Sequence, residues 1–296
     1  MKKLISRSLV ATALTLAMST SAWAGPVILG GDDLTDHGSR SAGGANLEGW
    51  LYIEKAISNL YSAQTRPGAL TVDIVALGSA NPGAGVYTSS NAGGAINSVA
   101  NVLGRSVSFY DGAASISSFF SDLAAGTVNP GIIWLAGTGA SNDLDTSEGT
   151  ALTTNATAID LFVGSGGGLM AHGSGSIAYG WLSSLLPGLS EVSGCSSSGA
   201  TLTAAGTAAF PGLSNSDIDA NAGPCHSNFQ GNFGGLTTLA IDGSASRLSY
   251  IIGSAGGGGG SITKPPTGQV PEPASLALMG LGLAGLGFVR RRKTAA

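Results

Sequence analysis

One short run limits the fold more than any other: Gly131-Ile132-Ile133-Trp134-Leu135-Ala136-Gly137 carries no charge and is closed by glycine at both ends. A run of this length, flanked by turn residues, is a strand buried on both faces. The pattern recurs at Pro26–Gly31, Val72–Gly78 and Gly166–Gly173, with a weaker copy at Ser106–Tyr110. Helical spacing lies between the runs. Trp50, Ile53, Ile57 and Leu60 share a face over 50–60, and Ile116, Phe119, Phe120 and Leu123 share one over 116–125. Helices are also predicted over 92–103, 152–164 and 179–186, the last stopped by Pro187-Gly188. Strands that are apolar throughout and alternate with helices predict an α/β fold, a doubly wound, mostly parallel sheet covered on both faces. Residues 26 to about 190 form this five-strand unit.

Residues 191–252 are looser. Strands are expected over 200–203, 236–241 and 247–252, as extra edge strands on the same sheet. The extracellular α/β domain is thus expected to span 25–253. A Gly/Pro-rich linker, with Gly256–Gly260 and Lys264-Pro265-Pro266, fills 254–269.

Both ends read as processing segments. Lys2, Lys3 and Arg7 precede an apolar stretch over Leu9–Met18, and Ala22-Trp23-Ala24 is an A-x-A cleavage site. Residues 1–24 therefore read as a signal peptide, with Gly25 as the first mature residue. At the other end, Val270-Pro271-Glu272-Pro273 precedes an uncharged run from Ala274 to Val289, then Arg290, Arg291, Arg292 and Lys293. The run is just short of the 17–25 residues usual for a single transmembrane helix, and the flanking residues extend it. Cations beside such a span mark the cytoplasmic side.

The order of motif, Gly/Leu-rich helix and arginine cluster over 270–296 resembles the PEP-CTERM sorting signal of Gram-negative bacteria. The resemblance implies recognition by an exosortase-type membrane enzyme. It also implies transient residence in the inner membrane through the C-terminal helix, delivery to the cell surface or extracellular matrix, and association with exopolysaccharide. A plain tail anchor is the alternative; both readings export the preceding domain.

The exported part is acidic. Seven of the 13 Lys and Arg residues lie in the two terminal segments, so residues 25–269 hold six cations against sixteen anions, a net charge of −10. Such a surface is unsuited to nucleic acid, whose phosphates need Lys and Arg, or to anionic lipid. Cys195 and Cys225 are the two cysteines, and an oxidising compartment favours a disulfide between them.

Strand, helix and glycine break over Val27–Gly31, Ile132–Gly139 and Gly166–Gly173 are similar to the class I glutamine amidotransferase-like (flavodoxin-type) superfold. Leu202-Thr203, Phe210-Pro211-Gly212-Leu213 and His226 resemble the tail of its ThuA-like branch. The resemblance implies a nucleophile elbow at the fifth strand. The elbow here reads Ala171-His172-Gly173-Ser174-Gly175 without cysteine, and His226 is followed by Ser227-Asn228 rather than by a glutamate two positions on. Glutaminase chemistry does not carry over; a scaffold does.

His172 ends a central strand, where open α/β sheets bind ligands. Asp32, Asp33, Asp36 and His37 follow the first strand, and His226 completes the three histidines. Asp32, His37 and His172 could converge on a polar pocket or a metal, although no closed zinc motif is present; alternatively they cap helices and bond loops. Ser174 lacks the glycines of G-x-S-x-G. Asn142-Asp143-Leu144-Asp145-Thr146-Ser147-Glu148 resembles a calcium loop but lacks its glycine and twelfth carboxylate, so Asp145 or Thr146 is expected to cap a helix. Gly30-Gly31 and Gly166–Gly168 lack the spacing of a phosphate loop. No cofactor and no resident metal are expected. The sequence therefore predicts a surface or matrix protein with a non-catalytic domain. The alternative is a hydrolase or small-ligand module that uses His172, Asp32 and His226.

Overall fold

The apolar runs form one sheet. In this computed structural model the described residues are 25–254, apart from 89–90, 139–143, 197 and 221–222. The segments read above as a signal peptide, a linker and a sorting signal with a membrane helix lie outside the described residues. Among the described residues no helix is long and apolar enough to cross a membrane.

The chain opens with β1 (Val27–Gly30), a small hairpin of β2 (Gly38–Arg40) and β3 (Asn46–Glu48), and α1 (Gly49–Ala63). Then come β4 (Val72–Leu77), α2 (Asn91–Leu103), β5 (Val107–Tyr110), α3 (Ala113–Ala125) and β6 (Pro130–Leu135). α4 (Thr146–Thr154), α5 (Ala156–Gly164), β7 (Gly168–Ala171), α6 (Gly175–Tyr179) and α7 (Leu182–Leu185) follow. The last part holds β8 (Leu189–Ser193), β9 (Thr201–Leu202), α8 (Ala204–Ala209), α9 (Asn215–Ile218), β10 (Ser227–Gly231), β11 (Thr237–Ile241) and β12 (Ser249–Gly253).

Five parallel strands stand in the order β5-β4-β6-β7-β1. Their side chains divide by the period of two. Val27, Leu29, Val75, Leu77, Ile133, Leu135 and Leu169 enter one core with Phe119 and Phe120 of α3 and Ile159 of α5. Ile28, Ile74, Ala76, Ile132, Trp134 and Met170 enter the other, under Ile53 and Ile57 of α1 and Ile96 of α2. Both faces are covered over β1, β6 and β7, so these strands have no polar side and read as continuous apolar runs.

The tail extends this sheet. β12 runs antiparallel to β1, with Ile28 opposite Gly253, and bonds on its other edge to β11, which in turn bonds β9. β10 meets β12 at Phe229–Ser249 and pairs along its length with β8.

Three features differ from the sequence reading. The flavodoxin-type order places the first strand between the second and third parallel strands. Here β1 stands beyond β7, because α1 carries the chain across β7 and β6 before it enters β4. The helix expected over 152–164 is two helices that meet at Asn155, whose side-chain amide donates to the Ala151 carbonyl at 2.9 Å. The helix expected over 179–186 is likewise two short ones, α6 and α7.

Candidate functional site

Trp134 in β6, His172 just past β7 and Asp32 two residues past β1 stand side by side at the C-terminal ends of neighbouring strands. The register explains it: Trp134 and Ile28 both lie opposite Met170, and a step of two carries the same face on to His172. His172 Nδ1 lies 2.7 Å from Asp32 Oδ1, with both side chains 0% exposed. The Trp134 indole Nε1–H donates to His172 Nε2 at 3.1 Å. An indole nitrogen can only donate, so Nε2 is the acceptor and the ring proton sits on Nδ1, facing Asp32. Asp32 Oδ1 also accepts the Leu34 amide at 3.1 Å. Tyr52 meets the imidazole edge-on, with centroids 6.1 Å apart, and packs in the same way on Phe210. Burial, and then the Asp32 charge, push the hydroxyls of Tyr52, Tyr179 and Tyr250 well above the ordinary tyrosine value.

Asp33 forms a second cluster, nearer the surface. Its Oδ2 lies 2.7 Å from His226 Nε2, and its Oδ1 lies 3.3 Å from His37 Nε2. The hydrogen bond to Asp33 raises the His226 imidazole above the usual histidine value, against a smaller opposing effect of burial. Asp36 accepts the Asn91 amide at 2.7 Å.

Residues 224–227 run against the chain just past the end of β1. The Asp33 amide donates to the Pro224 carbonyl, and the amides of His226 and Ser227 both donate to the Gly31 carbonyl. Asp32 forms an antiparallel bridge to Cys225, which is disulfide-bonded to Cys195. A Cβ on Gly31 would stand 2.0 Å from the Ser227 carbonyl oxygen, so glycine is required for this approach.

Of the residues singled out in the sequence, Asp32 and His172 are in contact. His226 and His37 are not on that pair; both are held by Asp33. The three histidines are therefore divided between two consecutive aspartates. Among the described residues no group of three or more His, Cys, Asp or Glu side chains is placed to hold a metal ion. Within the calcium-like stretch, Asp145 and Glu148 form a capping box at the start of α4, and Glu148 also accepts the Gly112 amide at 2.7 Å. Asn142 and Asp143 lie outside the described residues. Two residues were not foreseen: Trp134 as donor to His172, and Asp33 as the centre of the histidine pair. Consecutive aspartates in a chain with three histidines were the available signal.

Chemically, the Asp32–His172 pair has its second imidazole nitrogen filled by an indole. A catalytic dyad offers that nitrogen to a nucleophile or to water.

The family comparison matches a short segment only, the PEP-CTERM protein-sorting motif at residues 269–293. The motif implies export and processing by an exosortase at the cell envelope. No curated protein and no solved structure matches the chain. The likeness to the amidotransferase scaffold thus gains no support from the comparisons.

Proposed function

We propose that this chain, a carrier of the PEP-CTERM sorting motif, delivers a non-catalytic α/β domain to the cell surface or extracellular matrix of a Gram-negative bacterium. The single observation that carries the reading is the motif itself at 269–293. Residues 1–24 act as the export signal and are removed, and the apolar run of 274–289 holds the chain in the inner membrane until an exosortase processes it. The domain then serves interaction or structure, with exopolysaccharide-containing matrix as its setting.

Three properties of the domain support a non-enzymatic role. His172 is sealed and both of its ring nitrogens are engaged. Residues 224–227 hydrogen-bond to Gly31 and Asp33, just past the end of β1. The disulfide holds that segment in place, as suits a protein exposed to an oxidising exterior.

The test is cell fractionation of the producing bacterium with the full chain and with a chain lacking residues 270–296. The full chain is expected at the surface or in the matrix, and the truncated chain free in the periplasm or medium. Retention of the truncated chain at the surface would overturn the sorting role.

A further inference from the structure

Gly25 is a buried residue, and its amide donates to the Val163 carbonyl oxygen at 2.6 Å, near the C-terminal end of α5. The approach is tight on every side. A Cβ on Gly25 would stand 1.9 Å from the Gly167 carbonyl oxygen and 2.7 Å from the Gly166 carbonyl carbon. Immediately downstream, the Leu169 amide donates to the Pro26 carbonyl, which starts the β1–β7 ladder. Residue 25 is thus built into the fold, against the end of a helix whose last carbonyls form its negative pole.

Residue 25 is also the first residue after the A-x-A site. Hydrolysis there adds water across the Ala24–Gly25 peptide bond. The new carboxylate leaves with residues 1–24, and the nitrogen stays on Gly25 as an ammonium with three hydrogens in place of one.

We propose that the α-amino group freed at Gly25 is a structural element, docking on the carbonyls that end α5 and tying the start of β1 to that helix. The inference rests on reading residues 1–24 as a removable signal. Before cleavage the position offers a neutral amide donor; after it, a charge-assisted hydrogen bond at the negative end of a nine-residue helix. Leader removal then strengthens the junction from which the sheet is built. Glycine is required because any side chain would meet the Gly166–Gly167 backbone.

The first measurement is N-terminal sequencing of the exported chain. Gly25 is expected, and any other first residue overturns the proposal while leaving C-terminal sorting intact. The second uses residues 25–296 in detergent, released from a cleavable fusion so that Gly25 is first. It is compared with the same chain acetylated at Gly25 and with a chain bearing one extra alanine before it. The free-amine form is expected to melt about 2–4 °C higher than either blocked form. Its α-amine should react about tenfold more slowly with an acylating reagent when folded than in urea, because reaction needs local opening. Equal melting temperatures, or a reaction rate unchanged by folding, would overturn the proposal. Gly25→Ala should lose both effects; if that variant does not fold, the acetylated chain still decides the matter.

Discussion

Asp32 Oδ1 accepts the Nδ1–H of His172, with nitrogen and oxygen 2.7 Å apart and neither side chain exposed to solvent. The pair joins the ends of β1 and β7, and Trp134 extends it to β6, so one polar chain crosses three neighbouring strands. The chain of contacts links the ends of these strands beneath α1.

His172→Ala should therefore leave the buried Trp134 indole N–H without its acceptor and take one of two donors from the buried Asp32 Oδ1. A loss of about 2–5 kcal/mol is expected, read as a lower urea midpoint with little change in slope. A loss below about 0.5 kcal/mol would contradict a stabilising role for these contacts.

The His226–Asp33 contact makes stability depend on pH in a stated direction. The folded imidazole titrates above its unfolded value of about 6.5. Its stabilisation is therefore complete below about pH 6.5 and is lost as pH rises through the higher folded value. Because His226 is 48% exposed, the effect is a fraction of 1 kcal/mol after screening. The melting temperature of the native chain minus that of His226→Ala should shrink between pH 6 and 8, and shrink further in about 1 M salt. A difference that grows with pH would contradict the assignment.

Reduction of Cys195–Cys225 opens a loop whose ends are 30 residues apart. The chain-entropy estimate gives a loss of about 3–4 kcal/mol. Cys195→Ser with Cys225→Ser should reproduce it in thermal unfolding. The segment over β1 should also become faster in amide exchange, starting with the amides of His226 and Ser227.

Glu148 joins two elements, accepting the amides of Asp145 and Gly112. Glu148→Ala should cost about 1–3 kcal/mol, since it removes half of a capping box and frees the Gly112 amide. Glu148→Gln, which keeps an acceptor, should recover part of the loss in calorimetry. Equal losses for the two variants would argue that charge rather than hydrogen bonding is what matters.

The parallel strands were legible because burial on both faces leaves no polar position to confuse the period: Val27–Gly30 and Pro130–Leu135 are buried throughout. The β2–β3 hairpin and β10 were not, since Gly38–Arg40 and Ser227–Gly231 are short and polar and gain their strand form from neighbours. The strand order was equally hidden, because hydrophobic pattern says that a strand is interior without saying which strands flank it. At the candidate site, Asp32 and His172 could be named from their places at strand ends. The partner of His226 could not, because the choice between Asp32 and Asp33 depends on how residues 224–227 fold over β1.

The pairing of β12 with β1 sets a schedule. Val27 and Ser254 hydrogen-bond across 227 positions of sequence, so the first strand of the sheet waits for the last before both its edges are filled. Contacts of such separation form late and slowly. The sorting motif starts at residue 269, only 15 positions beyond Ser254. A chain cut short of β12 would therefore lack the antiparallel partner of β1 and the sorting motif together.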